Sequence, residues 1–256
     1  MTIIRRVPVL QLVVAGLLIA AVVLLAGCGS LGGDQNTFAP SGDVADKQRD
    51  LFIVVLIPAI IITILVGGVL TYAVIRFRRR SDDEPLPKQV HGNNRLELAW
   101  TIAPTLLLIG LAVPTVAGII DLGRAPRADA LHVKVVAFRF GWQFQYLDPE
   151  FADAQGKPLT SNELRIPVDR EIGVVLEAQD VIHSFWVPKL AGKLDVIPGR
   201  NNEMWFNATE PGVYSGQCAE LCGIGHAGMR FQVVAQAQEE FDDWVDEQMV
   251  ASATGQ

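Results

Sequence analysis

The chain has 256 residues, a formal net charge of −7 and a hydrophobic content of 50%. With its positive mean hydropathy, that composition implies membrane segments joined to one ordinary domain, and no nucleic acid is expected as a partner of so acidic a chain. It contains no internal repeat and no low-complexity tract.

The first apolar stretch, Val7 to Gly27, follows Arg5 and Arg6 and ends in Leu25-Ala26-Gly27-Cys28-Gly29-Ser30. A basic start, an apolar middle and small residues before a cleavage point describe a secretory signal over residues 1–27. The LAGC ending resembles a bacterial lipoprotein lipobox, which implies cleavage before Cys28 and lipid on its sulfur. The other reading is a retained first membrane helix with an inert thiol, since the run is nearly long enough to span. Either reading puts the segment 28–50 outside the cytoplasm.

Two further stretches, Leu51 to Ile75 and Leu98 to Ile120, carry no charged residue, and each is long enough to cross a bilayer with some tilt. Between them the loop 76–97 holds Arg76, Arg78, Arg79, Arg80, Lys88 and Arg95, whereas 28–50 has only Lys47 and Arg49. The positive-inside rule therefore places that loop in the cytoplasm and everything from about Arg124 onward outside. Pro58, Pro104 and Pro114 fall within the spans, where neighbouring helices can satisfy the carbonyls they free. A two-helix hairpin makes a poor bundle by itself, so a larger membrane partner is expected.

The outer domain, 124–235, is rich in strand signals. Leu131 to Tyr146, Leu164 to Pro167, Ile172 to Ala178, Asn202 to Asn207, Gly212 to Gln217 and Phe231 to Ala235 are short β-branched or aromatic runs separated by Pro, Gly, Asn and Asp. Such spacing predicts a sandwich or barrel. In the tail, 236–256, Phe241, Trp244 and Val245 recur at helical spacing among acids, which predicts a surface helix with one docked edge.

The chemistry concentrates in CAELCGIGHAGM, Cys218 to Met229. Thiolate, imidazole and thioether are soft or borderline donors that suit copper or zinc and disfavour magnesium or calcium. Met229 favours copper, because structural zinc usually draws its fourth ligand from Cys or His. A Cys218–Cys222 disulfide is the remaining alternative outside the cytoplasm, and it leaves His226 and Met229 unexplained. The spacing of the two cysteines excludes covalent haem attachment. A second connection must close such a site. Among the other histidines, His91 lies in the cytoplasmic loop and His132 at a strand start, and both read as ordinary surface imidazoles. His183 stands in DVIHSFWVPKLAGKLDVIPGR, a turn-rich stretch between strands. It is either the missing ligand or a satisfied loop histidine.

From about Asp46 to Trp244 these residues closely resemble cytochrome c oxidase subunit II, most specifically in GQCAELCGIGHAGM and DVIHSFWVP. The resemblance implies a membrane-anchored chain, a two-helix transmembrane hairpin followed by an all-β cupredoxin-like Greek-key barrel. It also implies a binuclear copper A centre. Cys218 and Cys222 would bridge two copper ions, with His183 and His226 contributing one imidazole each. Met229 would be a weak ligand to one copper and the carbonyl of Glu220 to the other, and the Glu220 side chain would help bind magnesium or manganese at the border with subunit I. The implied partners are subunit I, with its haem and copper B, subunit III, a soluble donor such as cytochrome c or a small copper protein, and the lipid of a bacterial plasma membrane. The implied activity is that of a proton-pumping oxidase that reduces oxygen to water, with electrons passing through this subunit to haem.

Three further matches each have a plainer reading. Glu97 matches a glutamate at a proton-pathway mouth, and it is also a good residue to start a helix. Asp195 and Arg200 match a polar pair near subunit I, and a turn salt bridge explains them equally. In AFRFGWQFQY, Phe140 occupies the position where the family has the tryptophan that accepts the electron. Electrons would then enter past Phe140 or shift to Trp142, unless these aromatics are simply strand core. Asp180, Asp148 and Glu150 are candidates for a negative patch that steers a basic donor, or for solvating charges.

Overall fold

The computed structural model describes residue 16 and residues 33–79, 81, 88–89, 92–153 and 155–254. The leader expected over 1–27, Cys28 and His91 lie outside the described residues.

Helix α1 spans Asp43–Arg76 and α2 spans Asn94–Leu122. Their apolar windows bury nothing against the rest of the protein. Helices that are apolar all round and unburied belong in lipid. Pro58, Pro104 and Pro114 sit inside them, and the hydroxyls of Thr63, Thr101, Thr105 and Thr115 donate to carbonyls one turn back. At the start of α2, the Asn93 side chain accepts from the N–H groups of Arg95 and Leu96, and Glu97 accepts from the Asn93 N–H at 3.2 Å. That reciprocal cap starts the helix at Asn94, one turn before the uncharged run.

The outer end of α1 is pinned to the following domain. Ser41 N–H donates to the Lys189 carbonyl, and Asp43 and Asn207 exchange two hydrogen bonds of 3.0 and 2.9 Å. Gly42 is required there, because a Cβ would lie 2.3 Å from the Asn207 carbonyl oxygen. Val44 and Ala45 are buried. This docking extends α1 back from the apolar run to Asp43.

The domain is built from β1 (Leu131–Phe138), β2 (Gly141–Tyr146), β3 (Thr160–Ser161), β4 (Leu164–Pro167), β5 (Ile172–Ala178), β6 (His183–Trp186), β7 (Lys193–Val196), β8 (Asn202–Phe206), β9 (Gly212–Cys218) and β10 (Arg230–Gln236). They form two five-stranded sheets, ordered β3-β2-β1-β5-β8 and β4-β10-β9-β6-β7. Pairing is antiparallel except for β1 with β5 and β4 with β10. This is the expected cupredoxin-like arrangement. Inward residues of both sheets, among them Val133, Val135, Phe144, Phe185 and Phe231, make one core. Phe185 and Phe231 stack at 4.9 Å, and Trp142 closes on Phe231 at 5.1 Å.

Several elements differ from the sequence reading, which also lacked β3 and β7. The run Leu131 to Tyr146 is a hairpin that turns at Arg139 and Phe140, with Phe138 opposite Gly141. His183 lies in a strand and not in a loop, since β6 pairs with β7 on one side and with β9 on the other. Four residues between turns are too few to show alternation, so only tertiary pairing reveals that strand.

Helix α3 (Gln238–Thr254) lays Phe241, Trp244 and Val245 on the barrel, with Trp244 5.5 Å from the Tyr146 ring. The Tyr146 hydroxyl donates to the Arg165 carbonyl and accepts from the Arg165 N–H. Burial pushes its pKa upward.

Where α2 leaves the membrane, Glu171 collects four hydrogen bonds from the Arg124 and Arg127 guanidinium groups and the Arg127 N–H, at 2.6 to 2.9 Å. The Arg124 guanidinium lies 3.8 Å from the Trp205 ring centroid. Hydrogen bonding from Arg124, helped by Arg127, lowers the Glu171 pKa to about 2 despite its burial. A depressed carboxylate stabilises the fold above its unfolded pKa of about 4.3 and loses that contribution as pH falls towards the folded value. In detergent, Glu171→Gln should cost about 1–3 kcal/mol at neutral pH. It should also flatten the loss of thermal stability between pH 5 and pH 2; an unchanged pH slope would contradict this role.

Candidate metal centre

Strand pairing places the ligand loop. β9 and β10 are paired up to Gln217 opposite Arg230, and the Cys218 N–H donates to the Met229 carbonyl at 3.0 Å, closing the loop at its base. One 3-10 turn, His226–Gly228, reverses the chain inside it. From the neighbouring strand, Ser184 accepts from the Ala219 N–H. His183 therefore meets Cys218 although 35 residues separate them.

The donor atoms divide into two matched halves. The Cys218 Sγ lies 3.9 Å from His183 Nδ1 and 3.2 Å from the Glu220 carbonyl oxygen. The Cys222 Sγ lies 3.8 Å from His226 Nδ1 and 3.7 Å from Met229 Sδ. The two sulfurs are 3.9 Å apart. Cys218, Cys222, His183 and Met229 are buried, and His226 is half-buried. The donors of His183, Cys218 and Cys222 all lie within 4.8 Å of one another.

These spacings fit metal binding. Bonds of about 2.3 Å to sulfur and about 2.0 Å to imidazole nitrogen let one ion join donors up to roughly 4.3 to 4.6 Å apart. Each neighbouring pair named above falls inside that reach. A disulfide needs sulfurs at about 2.05 Å, and both cysteines are free. Met229 is buried with its thioether turned to Cys222, a donor that favours copper over zinc. Burial, with Cys218 alongside, pushes the Cys222 thiol up to about 11. The metal-free Cys222 thiol therefore holds its proton, and metal uptake must displace it.

Asp180 orients His183. Its Oδ1 is 2.9 Å from His183 Nε2, so a proton on Nε2 leaves Nδ1 free to face the sulfurs. Asp180 also accepts from the N–H groups of Val181 and Arg139 and from the Arg139 side chain. Desolvation opposes its ionised form, but these donors outweigh it and hold the carboxyl well below the usual range. The signal in the sequence is the spacing Asp180-x-x-His183, which a steering role for Asp180 obscured.

Phe140 lies flat over the loop, where a Cβ on Gly225 would stand 2.5 Å from its ring and one on Gly223 3.2 Å. Trp142 is buried behind it, edge-on to His183 with centroids 6.2 Å apart. Glu97 is far along the chain's architecture, in the cap of α2 at the hairpin's other end. No ion pair joins Asp195 to Arg200; Asn202 instead binds the Asp195 carbonyl. His132 pairs with Asp148 at 3.1 Å, at the base of the β1–β2 hairpin.

Comparison with known proteins bears on the family of the chain. Sequence profiles of the cytochrome c oxidase subunit II transmembrane domain and periplasmic domain match residues 35–117 and 144–237. A cytochrome c oxidase subunit 2 of Alkalihalophilus pseudofirmus is 40% identical over 88% of this chain, which spans 65% of that relative's length. A probable cytochrome c oxidase subunit 2 of Rickettsia bellii is 34% identical, covering 88% of this chain and 86% of the relative. The crystal structure of the periplasmic domain of subunit II of the Bradyrhizobium japonicum cytochrome oxidase is 37% identical. It covers 49% of this chain and 96% of that one, with a TM-score of 0.43.

Proposed function

The chain belongs to the cytochrome c oxidase subunit II family, and on that footing we propose that it accepts electrons one at a time from a soluble donor and passes them to haem in subunit I. The observation that carries this reading is the pairing of donors. Each thiol has its own imidazole and its own weak donor, Glu220 O for Cys218 and Met229 Sδ for Cys222. A copper A pair bound there would supply one-electron redox chemistry. The residues would supply the rest: Cys218 and Cys222, with His183 and His226, would hold the ions, the strands keep these donors in one geometry, and Asp180 fixes the His183 tautomer.

Membership of the family supports the same reading of the rest of the assembly. Subunit I holds haem and copper B, subunit III completes the core, and oxygen is reduced to water in subunit I with proton pumping. The Glu220 carbonyl turns inward while its side chain stays exposed, which suits the side chain to magnesium or manganese shared with subunit I. Electrons enter beside Phe140, with Trp142 behind it on His183. Glu97, exposed at the opposite end of the hairpin, suits the mouth of a proton pathway. The membrane is the bacterial plasma membrane with the β domain outside, and Cys28 carries lipid after removal of 1–27.

Stopped-flow mixing of the purified complex with a reduced soluble donor tests the order of events. The copper absorption should bleach before haem in subunit I is reduced, by tenfold or more in rate. Haem reduction that precedes or bypasses the copper signal would contradict the reading.

A further inference from the structure

The carboxylate behind His183 has more partners than its orientation needs. Asp180 Oδ1 lies 2.9 Å from His183 Nε2 and accepts from the Val181 N–H at 2.7 Å, and Oδ2 accepts from the Arg139 N–H at 2.9 Å. These three contacts fix both oxygens without a cationic side chain. The Arg139 guanidinium adds a fourth, from Nε to Oδ2 at 3.0 Å. Among the described residues no lysine and no other arginine pairs with Asp180.

The four groups form a row from solvent to the metal centre. The Arg139 side chain is 51% exposed, the Asp180 side chain 24% and the His183 side chain not at all. Two hydrogen bonds therefore separate a guanidinium from an imidazole whose Nδ1 faces Cys218 Sγ at 3.9 Å. Arg139 also stands beside the ligand loop, since a Cβ on Gly223 would lie 3.8 Å from its Cδ. An ion pair this exposed contributes little to stability. Its place in the row gives it a different use.

We propose that Arg139, acting through Asp180, offsets the negative charge behind His183 and so raises the reduction potential of a copper centre held by His183, Cys218, Cys222 and His226. This rests on the copper reading above and assigns the control of its potential. The sign follows from the charges. An oxidised centre carries one more positive charge than a reduced one, so a nearby cation disfavours it and an uncompensated carboxylate favours it. Orientation and charge are served by different atoms. The N–H groups of Val181 and Arg139 keep the carboxylate on Nε2, and the guanidinium sets how much of its charge the imidazole faces. One electron enters and leaves the centre with or without Arg139, and no proton or group is transferred.

The test uses the full chain in detergent, loaded with copper and equilibrated with a one-electron reference couple while the copper absorption is read. Arg139→Gln should move the equilibrium about threefold or more towards oxidised copper, a modest shift because the charge is half-exposed. Its copper affinity, read by chelator competition, should stay within about twofold of wild type, far from the roughly ten- to hundredfold loss that follows removal of an orienting partner. Arg139→Lys restores a cation and should return most of the shift. Arg139→Met, neutral and without donors, repeats the measurement with the same expected shift where the glutamine variant folds poorly. The proposal is overturned if the neutral variants leave the equilibrium unmoved or move it towards reduced copper, or if Arg139→Lys shifts it as far as they do. A wild type without a copper spectrum overturns the metal reading and this proposal with it, whereas an intact spectrum with an unmoved equilibrium overturns this proposal alone.

Discussion

Cys218→Ser is expected to abolish the delocalised mixed-valence spectrum of the copper-loaded protein and to lower electron transfer to haem by at least about a hundredfold. Cys218 Sγ is the donor that faces His183 Nδ1, the Glu220 carbonyl and Cys222 Sγ at once. A serine hydroxyl is a hard, poorly acidic donor and cannot replace a thiolate between two soft ions. Cys222 with His226 and Met229 would still hold one copper in that variant. The remaining signal should therefore be that of a single localised ion. The substitution itself is small and the loop base, Cys218 N–H to Met229 O, is backbone, so the β domain should keep its melting temperature to within a few degrees. A delocalised spectrum that survives in Cys218→Ser would show that this sulfur does not bridge.

Asp180→Ala should weaken copper retention by about ten- to a hundredfold, read by competition with a chelator. The carboxylate holds the proton on His183 Nε2, and without it the Nε2–H and Nδ1–H tautomers compete while the ring loses its orientation. The same change frees the Arg139 N–H and side chain, so Phe140 loses the anchor of its turn. Asp180→Asn separates the two roles. Its amide oxygen can still accept from Nε2–H, and it should restore most of the affinity while shifting the reduction potential less than Ala does. Equal affinity for wild type and Asp180→Ala would remove Asp180 from the account.

How much of this was legible in the residues depends on whether a feature is local. The two spans, the β-rich outer domain and the donors of CAELCGIGHAGM are short-range patterns, and the twin cysteines four apart with His226 and Met229 announce soft-metal chemistry without any structure. His183 was legible only as a candidate, because its tie to Cys218 runs through β6 against β9 and β6 is too short to show periodicity. The hairpin turn at Arg139 and Phe140 was hidden for the opposite reason. Leu131 to Tyr146 is so strongly strand-forming that nothing interrupts the run, and the contact of Phe140 with Gly223 and Gly225 joins segments more than eighty residues apart. Asp148 and Glu150 were grouped with Asp180 by charge alone. Only the register of β1 and β2 reveals that they sit at opposite ends of the barrel. The clamp of Gly42 and Asp43 on Asn207 has no local signal either, since a glycine before an acid at a helix start is common in any sequence.

If the two matched halves hold a pair of coppers sharing one electron, copper analysis and paramagnetic resonance on the full chain, purified in detergent and loaded with copper, should give about two coppers per chain and a hyperfine pattern from two equivalent copper nuclei. One copper per chain with the pattern of a single nucleus, or no copper retained against a mild chelator, would contradict it.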